Sequence, residues 1–299
     1  WSYRLLGPKE QHTFRRLGVL RGPFRIDAAV AVLSDLLGAK AASGEMLPGV
    51  ADLIDKSLLL RAEPSSAKGP RYQMLETVRA YAALELDAAG ERDVALEGLA
   101  AYCAHEADRA RTGLTGLSQV EWLDRVRDDL ENYRSTLDWL IERKRASNAA
   151  DVTWNLLFFW LIRARGTEAL QWCQRILNLP HVSPRAEAKA LVAGSVMWYT
   201  QGQVGNAREW LTGALGLRPD IDPDVEAMAE ILFGHVEQAG GNQDAARERF
   251  TRSMDMFRTL SSAWGIGNAL MGKASVALAA RDIPTAERLL DEATRALEQ

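Results

Sequence analysis

The spacing of apolar positions changes character along the chain, and the change divides it into a short mixed segment and a long helical one. In "LGPKEQHTFRRLGVL", Phe14, Leu17 and Leu20 recur at helical offsets behind Pro8, which suits a first helical position, with Gly18 and Gly22 near the stop. "FRIDAAVAVLSDLLG" repeats the pattern with Ala28, Val32 and Leu36, with Asp27 as the expected N-cap and Gly38 beyond the end. After the Gly-, Ala- and Ser-rich "GAKAASGEMLPG", a third helix is expected over 50–57, with Leu53 and Ile54 on its apolar face. "LLLRAE" and "RYQML" are strand-like, and the Pro, Ser and Gly of "PSSAKGP" make a turn between them. Three helices followed by a β-hairpin is the winged-helix order.

The stretch "RYQMLETVRAYAALEL" passes from strand to amphipathic helix within a few residues, with Leu75, Val78, Ala82, Leu86 and Ala89 on one stripe and Gly90 as a stop. Such a helix has to bury its stripe. It is expected to bridge the winged helix to the following helices, with Leu75, Val78 and Leu86 buried and Arg79 near the edge. From Glu91 onward the pattern stays helical, as in the stripe Leu130, Tyr133, Leu137, Leu140 and Ile141. Within it "ARGTEALQWCQRIL", "GQVGNAREWLTGAL", "GNQDAARERFTRSM" and "RDIPTAERLLDEAT" align on Ala169, Ala207, Ala246 and Ala286, at spacings of 38, 39 and 40. Four residues on stand Cys173, Leu211, Phe250 and Leu290, and seven on Ile176, Ala214, Ser253 and Ala293, so a small residue, then a larger apolar one, then usually a small one again lets paired helices approach closely. Gly202 and Gly241 open two of the turns, with Ala164 and Arg281 in their place elsewhere. The pattern resembles the tetratricopeptide repeat with a lengthened period, its usual first-helix aromatic surviving only as Trp198.

Together these elements predict a mainly α protein: a winged-helix domain with a small β-hairpin and bridging helix over 1–90, a helical connector over 91–150, and an α-solenoid of tetratricopeptide-like hairpins over 151–299. A chain of 299 residues, 47% hydrophobic and 25% charged, is long enough for more than one core. There is no run of 18 apolar residues, the most apolar stretch being "WNLLFFWLI", and no signal-peptide pattern opens the chain, so a cytoplasmic location without membrane contact is expected.

Charge narrows the chemistry. Residues 1–92 carry 13 basic and 11 acidic side chains, and 93–299 carry 23 and 29, so neither part has the basic excess of a dedicated nucleic-acid binder. The third helix offers Asp52, Asp55 and Lys56 without an Arg or Asn/Gln cluster, and its carboxylates would repel phosphate. Direct DNA binding by this helix is therefore not expected. The 29 Arg against 7 Lys read as the skew of a high-GC bacterial coding sequence. Cys103 and Cys173 lack CxxC or His-rich companions, and His12, His105, His181 and His235 lie far apart, which gives no disulfide framework or metal site. Neither GxxxxGK[ST] nor GxSxG occurs, and no catalytic residue, cofactor ligand or enzymatic activity is assigned to these residues.

The segments "WSYRLLGPKEQHTFRRLGVLRGPFRIDAAVAVL", "VADLIDKSLLL" and "RYQMLETVRAYAALELDAAGE" resemble the winged-helix region that follows the NB-ARC ATPase core in bacterial STAND-class regulators of the AfsR-like and LuxR-like type. "EWLDRVRDDLENYRSTLDWLIE" resembles the same family's join into its repeats. The resemblance implies a signal-transduction role in transcription regulation, with ATP and magnesium on an upstream core that the winged helix packs against. It further implies that a protein, peptide or small effector binds the repeats. Carried onto this sequence, the inner repeat face would hold Trp154, Phe158, Val196, Tyr199, Ile231, His235, Gln238, Asn268, Met271 and Ser275. A start at Trp1 and a stop inside a second helix are expected of an excerpt of a longer protein with further repeats. Two other readings stay open: a DNA-binding winged-helix factor, and a repeat scaffold for self-association into a homo-oligomer.

Overall fold

The computed structural model describes residues 2–34, 42–62 and 69–298, apart from the side chains of residue 2 and residues 42–48. Leu36, Gly38 and most of the "PSSAKGP" turn lie outside the described residues. The chain forms two compact units, Trp1–Arg143 and Lys144–Gln299.

In the first unit, α1 (Pro8–Leu17) opens on Pro8 as expected, and the Gly7 N–H donates to Glu10 Oε2 at 2.8 Å, satisfying one orphan donor at the helix start. Phe14 and Leu17 are buried from its inner face. α2 (Ile26–Leu33) has Arg25, not Asp27, at its N-cap; Asp27 lies in the first turn, where its carboxylate accepts from Arg25 Nη2 at 2.6 Å and complements the helix dipole. α3 (Ala42–Asp55) begins well before Val50. Ala42, Glu45, Met46 and Leu47 are good helix formers, and they outweigh Ser43 and Gly44 in the stretch expected to be a loop. Val50 and Leu53 anchor this helix in the core.

β1 (Leu60–Arg61) and β2 (Tyr72–Gln73) pair antiparallel, Leu60 opposite Gln73 and Arg61 opposite Tyr72. Tyr72 also exchanges two 2.8 Å backbone hydrogen bonds with Phe24, which ties the returning strand to the segment entering α2. α4 (Glu76–Ala88) follows and stops just before Gly90, whose φ of +70° is a left-handed value that glycine adopts without strain.

The bridging role expected of α4 falls to its successor. Ala82 and Leu86 of α4 are buried, but Leu75 at the N-cap is exposed and Val78 only half-buried. The stripe is short because α4 packs back onto α1, where a Cβ at Gly18 would meet Ala82 and Ala83 at 2.9 Å. α5 (Arg92–Gly113) instead lies along α2, so closely that a Cβ at Gly98 would run into the Ala31 carbonyl. α6 (Gln119–Asp128) and α7 (Leu130–Glu142) complete the unit, with Leu130, Tyr133, Leu137 and Leu140 buried along α7.

Buried charge joins these helices to the winged helix. Arg71 Nη1 donates to Asp129 Oδ1 at 2.9 Å, and the Tyr102 hydroxyl donates to Asp129 Oδ2 at 3.2 Å. Arg25 and Arg125 both pair with the buried Glu106, at 3.2 and 2.5 Å, and the Arg21 backbone N–H donates to Asn132 Oδ1 at 2.7 Å.

The second unit is a run of helical hairpins. α8 (Ala146–Asn155) and α9 (Leu157–Ile162), interrupted at Leu156, form the first helix of repeat one, and α10 (Gly166–Leu177) the second. α11 (Pro184–Thr200) and α12 (Val204–Gly216), α13 (Pro223–Ala239) and α14 (Gln243–Thr259), and α15 (Ala263–Ala279) and α16 (Ile283–Leu297) are the next three pairs. Ala169, Ala207, Ala246 and Ala286 are all buried, as the alignment requires for close helix contact. Ala164, Gly202, Gly241 and Arg281 all have positive φ, so the turn keeps its left-handed geometry even where glycine is absent. Trp160 stands 38 residues before Trp198, so the first-helix aromatic survives in two repeats rather than one. Mainly helical, with a winged-helix domain leading into a solenoid of hairpins, the architecture is the one the sequence pattern predicts.

Candidate binding face of the repeat unit

Nine of the ten inner-face residues fall on three rows of the repeat alignment. Phe158, Val196, His235 and Ser275 are equivalent, as are Trp154, Ile231 and Met271, and as are Tyr199 and Gln238; Asn268 lies outside these rows. The helices deliver them to very different environments.

Trp154, Val196 and Ile231 are buried, which corrects their placement as open contact residues. Val196 and Ile231 are packed between hairpins, because adjacent first helices approach closely enough to seal these positions. Trp154 reaches across the face, its Nε1 donating to Asp224 Oδ2 of α13 at 3.2 Å. Phe158 is half-buried against Trp264 of α15, the ring centroids 4.7 Å apart and the planes at 68°. The first repeat therefore offers aromatic side chains that are already engaged.

Farther along, the face is more open. Tyr199 and His235 lie with ring centroids 6.1 Å apart, and His235 meets Phe250 edge-on at 4.9 Å. Burial alone holds the His235 imidazole below its ordinary range, so the ring is neutral near pH 7. The Ser275 hydroxyl donates to Gln238 Oε1 at 3.0 Å, linking α13 to α15, while Asn268 Nδ2 donates to the Trp264 carbonyl of its own helix at 2.8 Å. Met271 is exposed. Tyr199, His235, Gln238, Met271 and Ser275 thus form an uncharged strip with aromatic, amide, thioether and hydroxyl groups, suited to an apolar or polar segment more than to a phosphate chain.

Sequence reasoning missed Asp224 and Trp264. They are equivalent positions of repeats three and four, matched by Ser147 and Arg185 in the first two. The detectable signal was the one bulky aromatic at a helix start where the other copies carry polar residues. It also missed Glu230, which is fully buried and accepts from Arg218 at 2.5 Å, Arg249 at 2.9 Å and Arg252 at 3.2 Å. Burial works against the Glu230 charge, but hydrogen bonds from Arg249 and Arg218 outweigh it and hold the carboxyl below its usual range. The only forewarning was an arginine-rich α14.

Two surface depressions lie on second helices of the hairpins: about 490 Å³ along α14 beside Arg247 and Asp255, and about 290 Å³ along α10 beside Trp172 and Arg175. Cys103 and Cys173 are buried free thiols, Cys173 being pushed up to about 12 by burial. Among the described residues, no group of three or more His, Cys, Asp or Glu could hold a metal ion, and no helix is long and apolar enough to cross a membrane.

On the winged helix, the described exposed residues near the end of α3 include Ala51, Asp52, Asp55 and Lys56, and Lys56 is paired with Glu10. That end of α3 presents two carboxylates and one engaged cation.

Comparison with known proteins agrees with this architecture. Residues 6–87 match the winged helix-turn-helix domain family. The chain is 27% identical over 307 aligned positions to proteins of Mycobacterium bovis and Mycobacterium tuberculosis named "Putative HTH-type transcriptional regulator", covering 94% of this chain and 33% of each relative. It thus spans about a third of the length of the curated relatives it matches. Its fold is similar to the crystal structure of a Signal Transduction ATPase with Numerous Domains (STAND) protein with a tetratricopeptide repeat sensor from Pyrococcus horikoshii. That match has a TM-score of 0.51 and 11% identity, and covers 99% of this chain and 45% of the other.

Proposed function

We propose that this chain is the regulatory and sensing part of a signal-responsive STAND-type ATPase that regulates transcription. The repeats bind a protein, peptide or small effector on their inner face, and the winged helix packs on a nucleotide-binding core outside residues 1–299. ATP and magnesium belong to that core, and no residue described here is assigned to them. The observation that carries this reading is a winged helix whose described α3 surface is poor in free cations, joined in one chain to a repeat unit with an uncharged, partly open inner strip. An effector acts by binding an open state more tightly than a closed one, because only differential affinity shifts the balance.

The test compares capture of binding partners from cell extract by the intact chain and by a Tyr199→Ala/Met271→Ala variant with native circular dichroism. Loss of the captured species in the variant supports the reading. Equal capture by both removes the strip as the binding face.

A second reading, DNA binding through the winged helix, is favoured by the winged helix-turn-helix match and by the names of the mycobacterial relatives. Phosphate contacts make such binding steeply salt-dependent. A gel shift by the chain that weakens as salt rises supports this second reading, whereas no shift at low salt rejects it.

A further inference from the structure

Helical repeats hold together through contacts between adjacent repeats. Phe158 and Trp264 connect the first repeat to the fourth. Trp154 and Asp224 connect the first to the third. These contacts span the inner face.

The two points are differently built. Trp264 rests on the core side against Phe257, with centroids 6.3 Å apart and planes at 85°, and it packs against the buried cluster that includes Ile231, Leu270 and Leu289. Its ring is thereby fixed, and the edge-to-face contact with Phe158 closes over it. Both rings remain only partly buried, so solvent and a ligand can reach the seam. At the second point the indole N–H of Trp154 meets a carboxylate near the start of α13. Beside it, Lys189 Nζ lies 2.7 Å from both Asp151 and Asp222, linking the first three repeats along the same edge. Burial opposes the Lys189 charge, but its hydrogen bonds to the two carboxylates keep the ammonium above its ordinary range. Arg185 Nε also lies 3.4 Å from Asp222 Oδ1, so cations and carboxylates alternate along this edge.

We infer that the first-repeat end of the inner face is held closed by a two-point clasp, Phe158 on Trp264 and Trp154 on Asp224, which a partner entering that face opens. Opening uncovers an aromatic ring surface on Trp264 and takes the indole N–H donor away from Asp224 Oδ2. A peptide segment carrying an aromatic residue next to a lysine or arginine replaces both lost interactions, and that is the partner chemistry the clasp fits. An aromatic pair of this kind biases the closed form by roughly two- to twelvefold, small enough for a peptide to overcome. The partner part of this inference rests on the sensing role proposed above, whereas the clasp is a property of the free chain.

The experiment places spin labels at two exposed positions, through Ile162→Cys and Leu260→Cys, and measures their distance distribution by pulsed electron resonance in the intact chain. The native Cys103 and Cys173 are buried and do not compete for label. Phe158→Ala should broaden the distribution towards longer distances, and Phe158→Tyr should restore it. Asp224→Asn, which keeps the side-chain shape, should broaden it more weakly, while Ile283→Ala, at an exposed position outside the clasp and the strip, should leave it unchanged. A wild-type distribution in both Phe158→Ala and Asp224→Asn overturns the clasp. If Phe158→Ala fails to fold, Asp224→Asn alone decides, broadening supporting the clasp and no change rejecting it. A chain that opens on these substitutions but captures no partner keeps the clasp and loses the sensing role. One that captures a partner with an unchanged distance keeps the role and loses the clasp.

Discussion

Arg71 and Asp129 meet at 2.9 Å with almost no solvent exposure, binding the start of the wing's returning strand to the junction of α6 and α7. Burial raises the Asp129 carboxyl above its usual range even though Arg71 pulls the other way, so removing the guanidinium leaves the acid strongly penalised. Arg71→Met should cost about 3–5 kcal/mol in urea unfolding followed by the signal of the first unit. Arg71→Met/Asp129→Leu should recover most of that loss. Equal damage in single and double variants would show that packing, not the unpaired charge, sets the cost.

The helix order, the hairpin and the alanine register of the repeats were legible because each rests on local spacing: Phe14 and Leu17, Leu60 against Gln73, and Ala169 to Ala286. The role of α4 was not legible. Its stripe is equally compatible with packing forwards or backwards, and the choice depends on Gly18 meeting Ala82 and on Gly98 meeting Ala31, contacts between distant segments. On the inner repeat face, sequence periodicity could not tell Val196, sealed between hairpins, from Tyr199, left partly open. Trp264 escaped because its partner Phe158 lies three repeats away.

The turn after α9 holds Ala164 at a φ of 53, where the equivalent Gly202 adopts 76 without a Cβ clash. An alanine in the left-handed region costs more than the entropy that a glycine loses on folding. Ala164→Gly should therefore stabilise the repeat unit by about 1 kcal/mol, read as a rise in melting temperature. A fall would mean that the methyl group contributes packing that the turn needs.

Glu230 and Glu237 are carboxylates held low in the folded state, Glu230 through its arginines despite burial and Glu237 chiefly through Arg208. A depressed folded value means that the unfolded chain binds more protons, so this stability is present above the ordinary carboxylate range and is lost as pH falls through it towards the folded value. Acid unfolding of the repeat unit should therefore begin below about pH 4.5. Glu230→Gln should lower neutral-pH stability and flatten that acid limb. An unchanged acid limb would remove Glu230 as a contributor.

His235 acts with the opposite charge type. Its folded value is lowered by burial, so the unfolded chain again binds the proton more readily, and stability falls as pH drops below the ordinary histidine range near 6.5. His235→Gln should flatten stability between about pH 6.5 and the lower folded value, measured by thermal melts across that window. A slope identical to wild type would contradict the burial assigned to this ring.

The central claim is that the effector acts on the inner face of the repeats. The most direct measurement is hydrogen–deuterium exchange on the intact chain with and without the species it captures from cell extract. The account predicts slowed exchange in the peptides carrying Tyr199, His235 and Gln238, and Met271 and Ser275, together with faster exchange around Phe158 and Trp264. Protection confined to the winged helix, with the repeats unchanged, would contradict it.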